Sequence, residues 1–158
     1  MTPADRASQF TELTFDPAVG EIFLPWSSGA SLHVVPPLSH VSPAKFIRDQ
    51  QLTIWGSAPA AITWMRDTRS LQPRSLSGLR YTSFGGEPLP LSSALAWQAA
   101  ALNSVIDNLY GPTEATVDCA GQRVEPGATP IVTPSRGVLA IGTPHPGTEL
   151  AIFGPGHR

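Results

Sequence analysis

Two short segments set glycine beside a carboxylate: Phe84-Gly85-Gly86-Glu87 and Tyr110-Gly111-Pro112-Thr113-Glu114. Glycine lets a backbone come close to a flat or phosphorylated ligand. A glutamate can hold a divalent cation whose other ligands are phosphate oxygens and water. An ordinary turn with an exposed carboxylate has the same composition, and on these residues alone both readings stay open. The remaining reactive types are less organised. No phosphate loop is present, since the single lysine, Lys45, falls in a predicted helix away from any glycine run. No serine sits in a Gly-x-Ser-x-Gly elbow, so a hydrolase triad has no support. His33, His40, His145 and His157 lack metal-ligand spacing and read as surface or loop histidines. Cys119 is the only cysteine, so no internal disulfide or thiolate zinc site can form, and it reads as a semi-buried thiol. Asp16, directly before Pro17, has the type and place of a helix cap.

Such turns work only if elements hold them. Residues 1–14 read as a ragged lead-in, and Asp16-Pro17 starts a helix with Val19, Ile22, Phe23 and Trp26 as its apolar stripe, interrupted at Pro25 and Gly29. A strand SLHVVPP and a helix from Ser42-Pro43 to near Gln51 follow. The alternation continues with strand LTIWGS, helix PAAITWMRD, strand LRYTSF, helix LSSALAWQAAAL (Leu91, Leu95 and Ala99 at helical spacing) and strand SVIDNLY. Repeated strand–helix–strand units of this size predict an α/β fold with parallel strands and covering helices. In such sheets ligands gather outside the carboxyl ends of the strands. Four of these ends are predicted: the turn after Val34, Gly56-Ser57-Ala58, and the two glycine–carboxylate segments. The segments divide as 1–14 lead-in, 15–120 α/β core, 121–137 Pro/Gly loop and 138–158 β-rich end, the last read as two short strands about a Pro-rich turn. ATVDCAGQRV supplies one more strand, and Trp26, Trp55, Trp64 and Trp97 read as core.

Composition narrows the function classes. Of 158 residues 41% are apolar and 14% charged, with a formal net charge of −2. Disordered tails and coiled coils need far more charge. Near-neutrality removes the long-range attraction that nucleic acid or an anionic membrane would require, so neither is expected as a partner. No apolar run approaches the ~18 residues of a membrane span, and no secretion signal opens the chain, so a cytoplasmic location is expected. The 17 prolines and 14 glycines, about a fifth of the chain, imply many sharp connections or a piece of something larger.

Asn108-Leu109-Tyr110-Gly111-Pro112-Thr113-Glu114 resembles the NxYGPTE signature of adenylation domains in nonribosomal peptide synthetases. Three further segments resemble the same family, in its order: Phe15-Asp16-Pro17-Ala18-Val19-Gly20-Glu21-Ile22-Phe23 followed by Gly29-Ala30-Ser31-Leu32, then Phe84 to Leu89, then Ile141-Gly142-Thr143-Pro144. The resemblance spans about residues 8–153. It implies an adenylate-forming ligase of secondary metabolism, which uses ATP and Mg²⁺ to activate an amino acid and passes it to the phosphopantetheine arm of a carrier protein. A small accessory protein could also bind such a domain.

Carried over residue by residue, the resemblance gives Tyr110 the adenine stack and Asn108 the exocyclic amine, with Gly85, Gly86 and Glu87 as one adenine wall. Thr113 would donate to the α-phosphate and Glu114 would bind Mg²⁺, making these two the catalytic residues. Asp16 would pair with the substrate's α-ammonium. Pro17, Gly20, Gly56, Thr82, Phe84, Leu109, Val117 and Asp118 would line the amino-acid pocket, with Asp118 placed to meet a hydroxyl or cationic side chain. The family's phosphate loop and its lysine-bearing C-terminal lobe have no counterpart among these residues. The chain is therefore expected to be a partial domain, inactive alone. A split enzyme completed in trans and a non-catalytic binding descendant are the alternatives.

Overall fold

The computed structural model describes residues 1–152 and Gly154. Its strands are β1 (Arg6–Gln9), β2 (Ser31–Val34), β3 (Ile54–Ser57), β4 (Tyr81–Phe84), β5 (Val105–Tyr110), β6 (Ala120–Val124) and β7 (Thr143–Pro144). They form one sheet in the order β2-β1-β3-β4-β5-β6-β7. The pairs from β2 through β5 are parallel, and β6 and β7 add antiparallel. Parallel neighbours need a crossover, and the helices α1 (Pro17–Ser27), α2 (Pro43–Asp49), α3 (Ala60–Asp67) and α4 (Leu91–Ala100) supply it. The first crossover steps from β1 to β2 and the later ones step the opposite way. Right-handed connections therefore put α1 on one face and α2–α4 on the other.

The core fills the space between the sheet and α2–α4. Trp55, Phe84 and Ile106 from the strands meet Ile47, Ile62, Met65, Ala94 and Trp97 from the helices. Trp97 meets Phe84 edge-on at 5.1 Å between ring centroids. Its indole N–H donates to Thr82 Oγ1 at 3.1 Å, so the polar end is satisfied while the ring stays buried. On α4 the buried face is Ser93, Ala94, Trp97 and Ala100, so of the predicted Leu91–Leu95–Ala99 stripe only Leu91 packs against the core. Trp97 is too large to leave outside, and its burial turns Leu95 to solvent.

Other expectations need correcting in the same way. The α1 stripe does not enter the core: Phe23 and Trp26 are each 59% exposed and Val19 is exposed too, while Ala18 and Pro25 are buried. Trp26 and Trp64 are thus surface tryptophans, and α1 runs through Pro25 to Ser27. In the predicted β-rich end, Val138 and Leu139 make isolated bridges to Pro90 and Val132, and the strand pairing falls at Thr143–Pro144, where a turn was expected. Phe153, in the second predicted strand there, lies outside the described residues, as does His157.

The largest difference is β1, which lies within the predicted lead-in and takes an interior place in the sheet, between the edge strand β2 and β3. Asp5, buried just before it, organises the amino ends of three strands. Its Oδ1 accepts from Arg80 Nε at 2.6 Å and Thr53 Oγ1 at 2.8 Å, and its Oδ2 accepts from Thr2 N at 2.7 Å. Thr53 Oγ1 in turn accepts from Arg6 N at 3.0 Å. The hydrogen bond from Arg80 holds the Asp5 carboxyl well below the usual carboxylate range, against the opposing effect of burial. A lowered acid contributes stability that is full above its unfolded value, about 3.9, and is lost as pH falls through the folded value. Asp5→Asn should therefore lower the thermal midpoint at pH 7, with the gap to wild type closing steadily below about pH 4. Thermal melts across pH 3–8 check this, and a gap independent of pH would remove the ion pair from the explanation.

Candidate functional site

Because the winding reverses between β1 and β3, the loops leaving their carboxyl ends diverge and open a crevice, the usual ligand position in such sheets. The chain leaves β1 through Phe10 and Thr11 and enters α1 at Asp16. Glu21, on the second turn of α1, fastens that connection. Its Oε2 accepts from Phe10 N and Thr11 N, both at 2.9 Å, and its Oε1 accepts from Thr11 Oγ1 at 2.9 Å. Burial raises its pKa, and those hydrogen bonds work against the rise. A Cβ built on Gly56 would lie 3.1 Å from Glu21 Oε1 and 3.2 Å from Ser83 Oγ. Glycine at 56 is what lets these two polar groups converge over β3.

Asp16 occupies the N-cap place but makes no capping hydrogen bond. Its own φ and ψ, −60° and −31°, are already helical, and they carry the carboxylate away from the first-turn N–H groups. Its Oδ2 is buried with no donor within reach among the described residues. A buried carboxylate oxygen without a donor is costly, so this atom stands out from the ordinary polar groups of the fold. Pro17 is exposed, and Gly20 is half-buried one turn beyond Asp16.

Alternation along the strands sorts the other candidates. Ser83 and Gly56 are cross-strand partners on the face carrying α1, and Gly85 meets Leu109 there. Thr82 and Phe84 point the opposite way, fully buried against Trp97 and Ser104. The structure therefore does not bring Thr82 and Phe84 to the crevice. It brings their neighbours Ser83 and Gly85, since one residue of register exchanges the faces of a strand. The same rule divides β5. Leu109 lies on the face with Gly85 and Gly121, whereas Asn108 lies on the face with Phe84.

Asn108 is 4% exposed, and its Nδ2 donates to Ala140 O at 2.9 Å, which leaves Oδ1 as an acceptor. Gln122 Nε2 donates to the same carbonyl at 2.8 Å and to Ile131 O at 3.0 Å, and its Oε1 accepts from Ile131 N at 2.6 Å, which ties down the 125–137 loop. Gly86 has φ of +80° with nothing within 4 Å of a built Cβ, so a flat group can approach its backbone. Glu87 instead accepts from Ala60 N at 3.2 Å, bracing the turn against the start of α3. Tyr110 is 47% exposed, and Thr113 and Glu114 are exposed on a short 3₁₀ turn.

Past that turn the backbone is tight. Thr116 and Val117 both have positive φ, 61° and 76°. Asp118 N bonds Thr116 O at 3.0 Å, a γ-turn with β-branched Val117 at its centre, a conformation that costs about 1–3 kcal/mol. Asp118 then lies so close to Gly111 that a Cβ there would be 2.4 Å from Asp118 Cα. Its carboxylate is not free, because His145 Nε2 donates to Oδ2 at 2.7 Å. His145 is thus a partner of a candidate site residue, not a plain loop histidine. His40 stacks on Phe10 at 4.4 Å, and His33 bonds Ser31 and Gln50, where burial lowers its pKa. Cys119 is fully buried.

Glu21, Ser83 and His145 were missed from sequence. Strict period-two alternation from Gly85 would have found Ser83. For His145 no local signal exists, since it and Asp118 meet only through β6 and β7. No cluster of three metal-ligating side chains occurs among the described residues. Nor does any described helix have the length and apolarity to cross a membrane.

The mostly parallel, doubly wound sheet with glycine turns at its carboxyl ends is an architecture this chain shares with solved adenylation domains. The structure of IdnL7 superimposes with a TM-score of 0.86 at 35% identity, covering 91% of this chain and 29% of that one. The Vibrio cholerae adenylation domain AlmE, solved with glycyl-adenosine-5'-phosphate, gives 0.82 at 38% identity over 91% of this chain and 26% of its own. The chain belongs to the AMP-binding enzyme family, whose model matches residues 1–158. The L-proline–(L-prolyl-carrier protein) ligase of Pseudomonas fluorescens is 32% identical over 152 residues, 94% of this chain and 29% of the relative. The Streptomyces coelicolor enzyme of the same name is 31% identical, covering 95% of this chain and 28% of its own length. The chain thus spans less than a third of these relatives.

Two glycine substitutions separate backbone contact from simple strain. Gly111→Ala must displace the Asp118 backbone and should lower stability by about 1–3 kcal/mol or more. Gly86→Ala faces open space and should cost only its left-handed strain, about 1–2 kcal/mol. Urea unfolding of both variants checks the order, and a Gly111→Ala no worse than Gly86→Ala would contradict the packing described.

Proposed function

We propose that this chain is the pocket-bearing part of an amino-acid-activating, adenylate-forming ligase. The observation that carries the reading is Asp16 Oδ2, a buried carboxylate oxygen beside the crevice with no donor from the described residues. A substrate α-ammonium is a donor of the right charge for it, and charge-assisted bonds of this kind are worth about 1.5–3 kcal/mol. The alternation of β5 supports a division of labour at the sheet end. Asn108, with Oδ1 available to an exocyclic amine, belongs to the nucleotide side together with Gly86 and the ring of Tyr110. Leu109, Ser83, Gly85, Gly56, Gly20 and Pro17 belong to the amino-acid side, with Val117 and Asp118 beyond.

The acyl-phosphate junction then falls between the two sides, within reach of the Thr113 hydroxyl. Glu114, a single exposed carboxylate, suits Mg²⁺, which takes one or two carboxylates and fills the rest of its shell with phosphate oxygens and water. When bound, the cation neutralises phosphate charge. The residues of this chain hold the two reactants in line, which is a large part of what catalysis needs for a weak carboxylate nucleophile. Transfer to a carrier-protein thiol is the expected second step, in the cytoplasm. A phosphate loop and a lysine-bearing lobe would have to come from elsewhere, so the chain alone should show no amino-acid-dependent ATP–pyrophosphate exchange.

Calorimetry with aminoacyl-sulfamoyl adenosines, stable mimics of the adenylate, tests the site directly. Tyr110→Ala should weaken binding about 5–100-fold, the worth of one base–aromatic stack. Asp16→Ala should abolish any preference for an aminoacyl over a des-amino analogue. If the analogue binds and Tyr110→Ala changes nothing, the adenine position is wrong. Robust exchange activity from the chain alone would overturn the claim of inactivity.

A further inference from the structure

Gly56, Gly85 and Gly121 leave three bare positions on the sheet face that carries α1, at the carboxyl end. The trough over them is bounded at one side by Glu21 and at the other by the Asp118–His145 pair. Several contacts build the seat of the imidazole. His145 N donates to Cys119 O at 2.9 Å, which fixes its backbone beside Asp118. A Cβ at Gly121 would lie 3.3 Å from His145 Cε1 and 3.1 Å from Leu109 Cδ2, so glycine there makes room for the ring next to the pocket leucine. Gly142, with φ of +77°, rests directly on the Gly121 backbone, where a Cβ would fall 1.9 Å from Gly121 O. That contact sets the height at which the chain delivers His145.

We infer that His145 is a specificity-determining residue that acts by occupying Asp118, so that the pocket takes uncharged side chains, of the hydroxyl or amide class, and turns away cationic ones. A carboxylate only accepts, so His145 Nε2 carries the proton in the 2.7 Å bond. The ring stands where a substrate ammonium would have to stand to reach Oδ2. Only Oδ1 is left, so an ammonium there loses the two-oxygen contact with the carboxylate and must sit beside a ring that already occupies the approach to Oδ2. At the other side, Glu21 Oε1 and Ser83 Oγ converge over Gly56 and offer hydrogen bonds to a neutral polar side chain. Glu21 is itself committed to Phe10 and Thr11, so it does not provide a free anion in place of Asp118. His145 is a positioning residue in this scheme, since it meets the substrate through Asp118. The inference rests on the adenylate reading of the site.

The test compares seryl-sulfamoyl adenosine with a cationic series, the diaminobutyryl, ornithyl and lysyl analogues, by calorimetry on the chain. Wild type should bind the seryl analogue at least 10-fold more tightly than any cationic one. His145→Phe keeps a ring in the Gly121 seat and removes the donor. It should raise affinity for at least one cationic analogue 10-fold or more while leaving the seryl analogue within 3-fold. His145→Gln, which keeps a donor at similar reach, should restore the wild-type order. In Asp118→Asn, adding His145→Phe should change nothing, because the acid being released is gone. A seryl analogue that binds, with an order untouched by His145→Phe, overturns the inference and leaves the adenylate reading standing. Failure of the wild-type chain to bind any of the four overturns both.

Discussion

β1 is four residues long and pairs on both sides, with β2 through its whole length and with β3 at Ala7. Its place between β2 and β3 makes the sheet wind in two directions, and the crevice at the carboxyl ends exists for that reason. Without β1, β2 and α1 would have no attachment to β3, and Asp16 would have no fixed relation to Gly56. The strand itself brings little hydrophobic surface, since three of its four residues are Arg6, Ser8 and Gln9. Polar groups at its two ends hold it instead: Asp5 with Thr53 and Arg80 at the amino end, and Glu21 with the Phe10–Thr11 backbone at the carboxyl end. A weak strand pinned by one buried and one half-buried acid positions the more conventional elements around it.

The turn after β5 solves a related problem. The connection to β6, residues 111–119, must fold back on β5 while leaving Tyr110 and Glu114 outside. The chain achieves this with strain at Thr116 and Val117 and with an absent side chain at Gly111. Stability from elsewhere offsets the cost, chiefly the fully buried Trp55, Phe84 and Trp97 cluster on the opposite face. Core and the face of Gly56, Ser83, Gly85 and Leu109 thus lie back to back across the same strands, which is why a one-residue error of register exchanges one for the other.

That exchange also marks how far the sequence could be read. The alternation of strands and helices from Ser31 to Tyr110 was legible because apolar runs, prolines and glycines punctuate it at the right lengths. β1 was not, because RASQ has no apolar pattern and its place depends on Asp5 meeting Thr53 and Arg80, far along the chain. The glycine turns and Asp16 were legible as chemistry. The type and place of Asp16 also fit a helix cap, and only its backbone angles show that it does not act as one. Thr82 and Phe84 were assigned to the pocket through alignment, where the face of a strand is invisible. The α1 stripe was read correctly as a stripe and wrongly as core, since amphipathicity says that a face wants cover and not which surface supplies it.

Asp5 and Arg80 stand 75 positions apart, so one partner is made long before the other. At ordinary synthesis rates of about 5–20 residues per second, the amino-terminal strand waits some seconds for the residues that hold it. In that interval β1 already has β2, β3 and Thr53 to pair with, but the buried Asp5 carboxylate still lacks the guanidinium that balances its charge. The junction of β1 with β3 is therefore fully secured only once Arg80 has been made, well after both strands, and the crevice that depends on this junction takes its final shape no earlier.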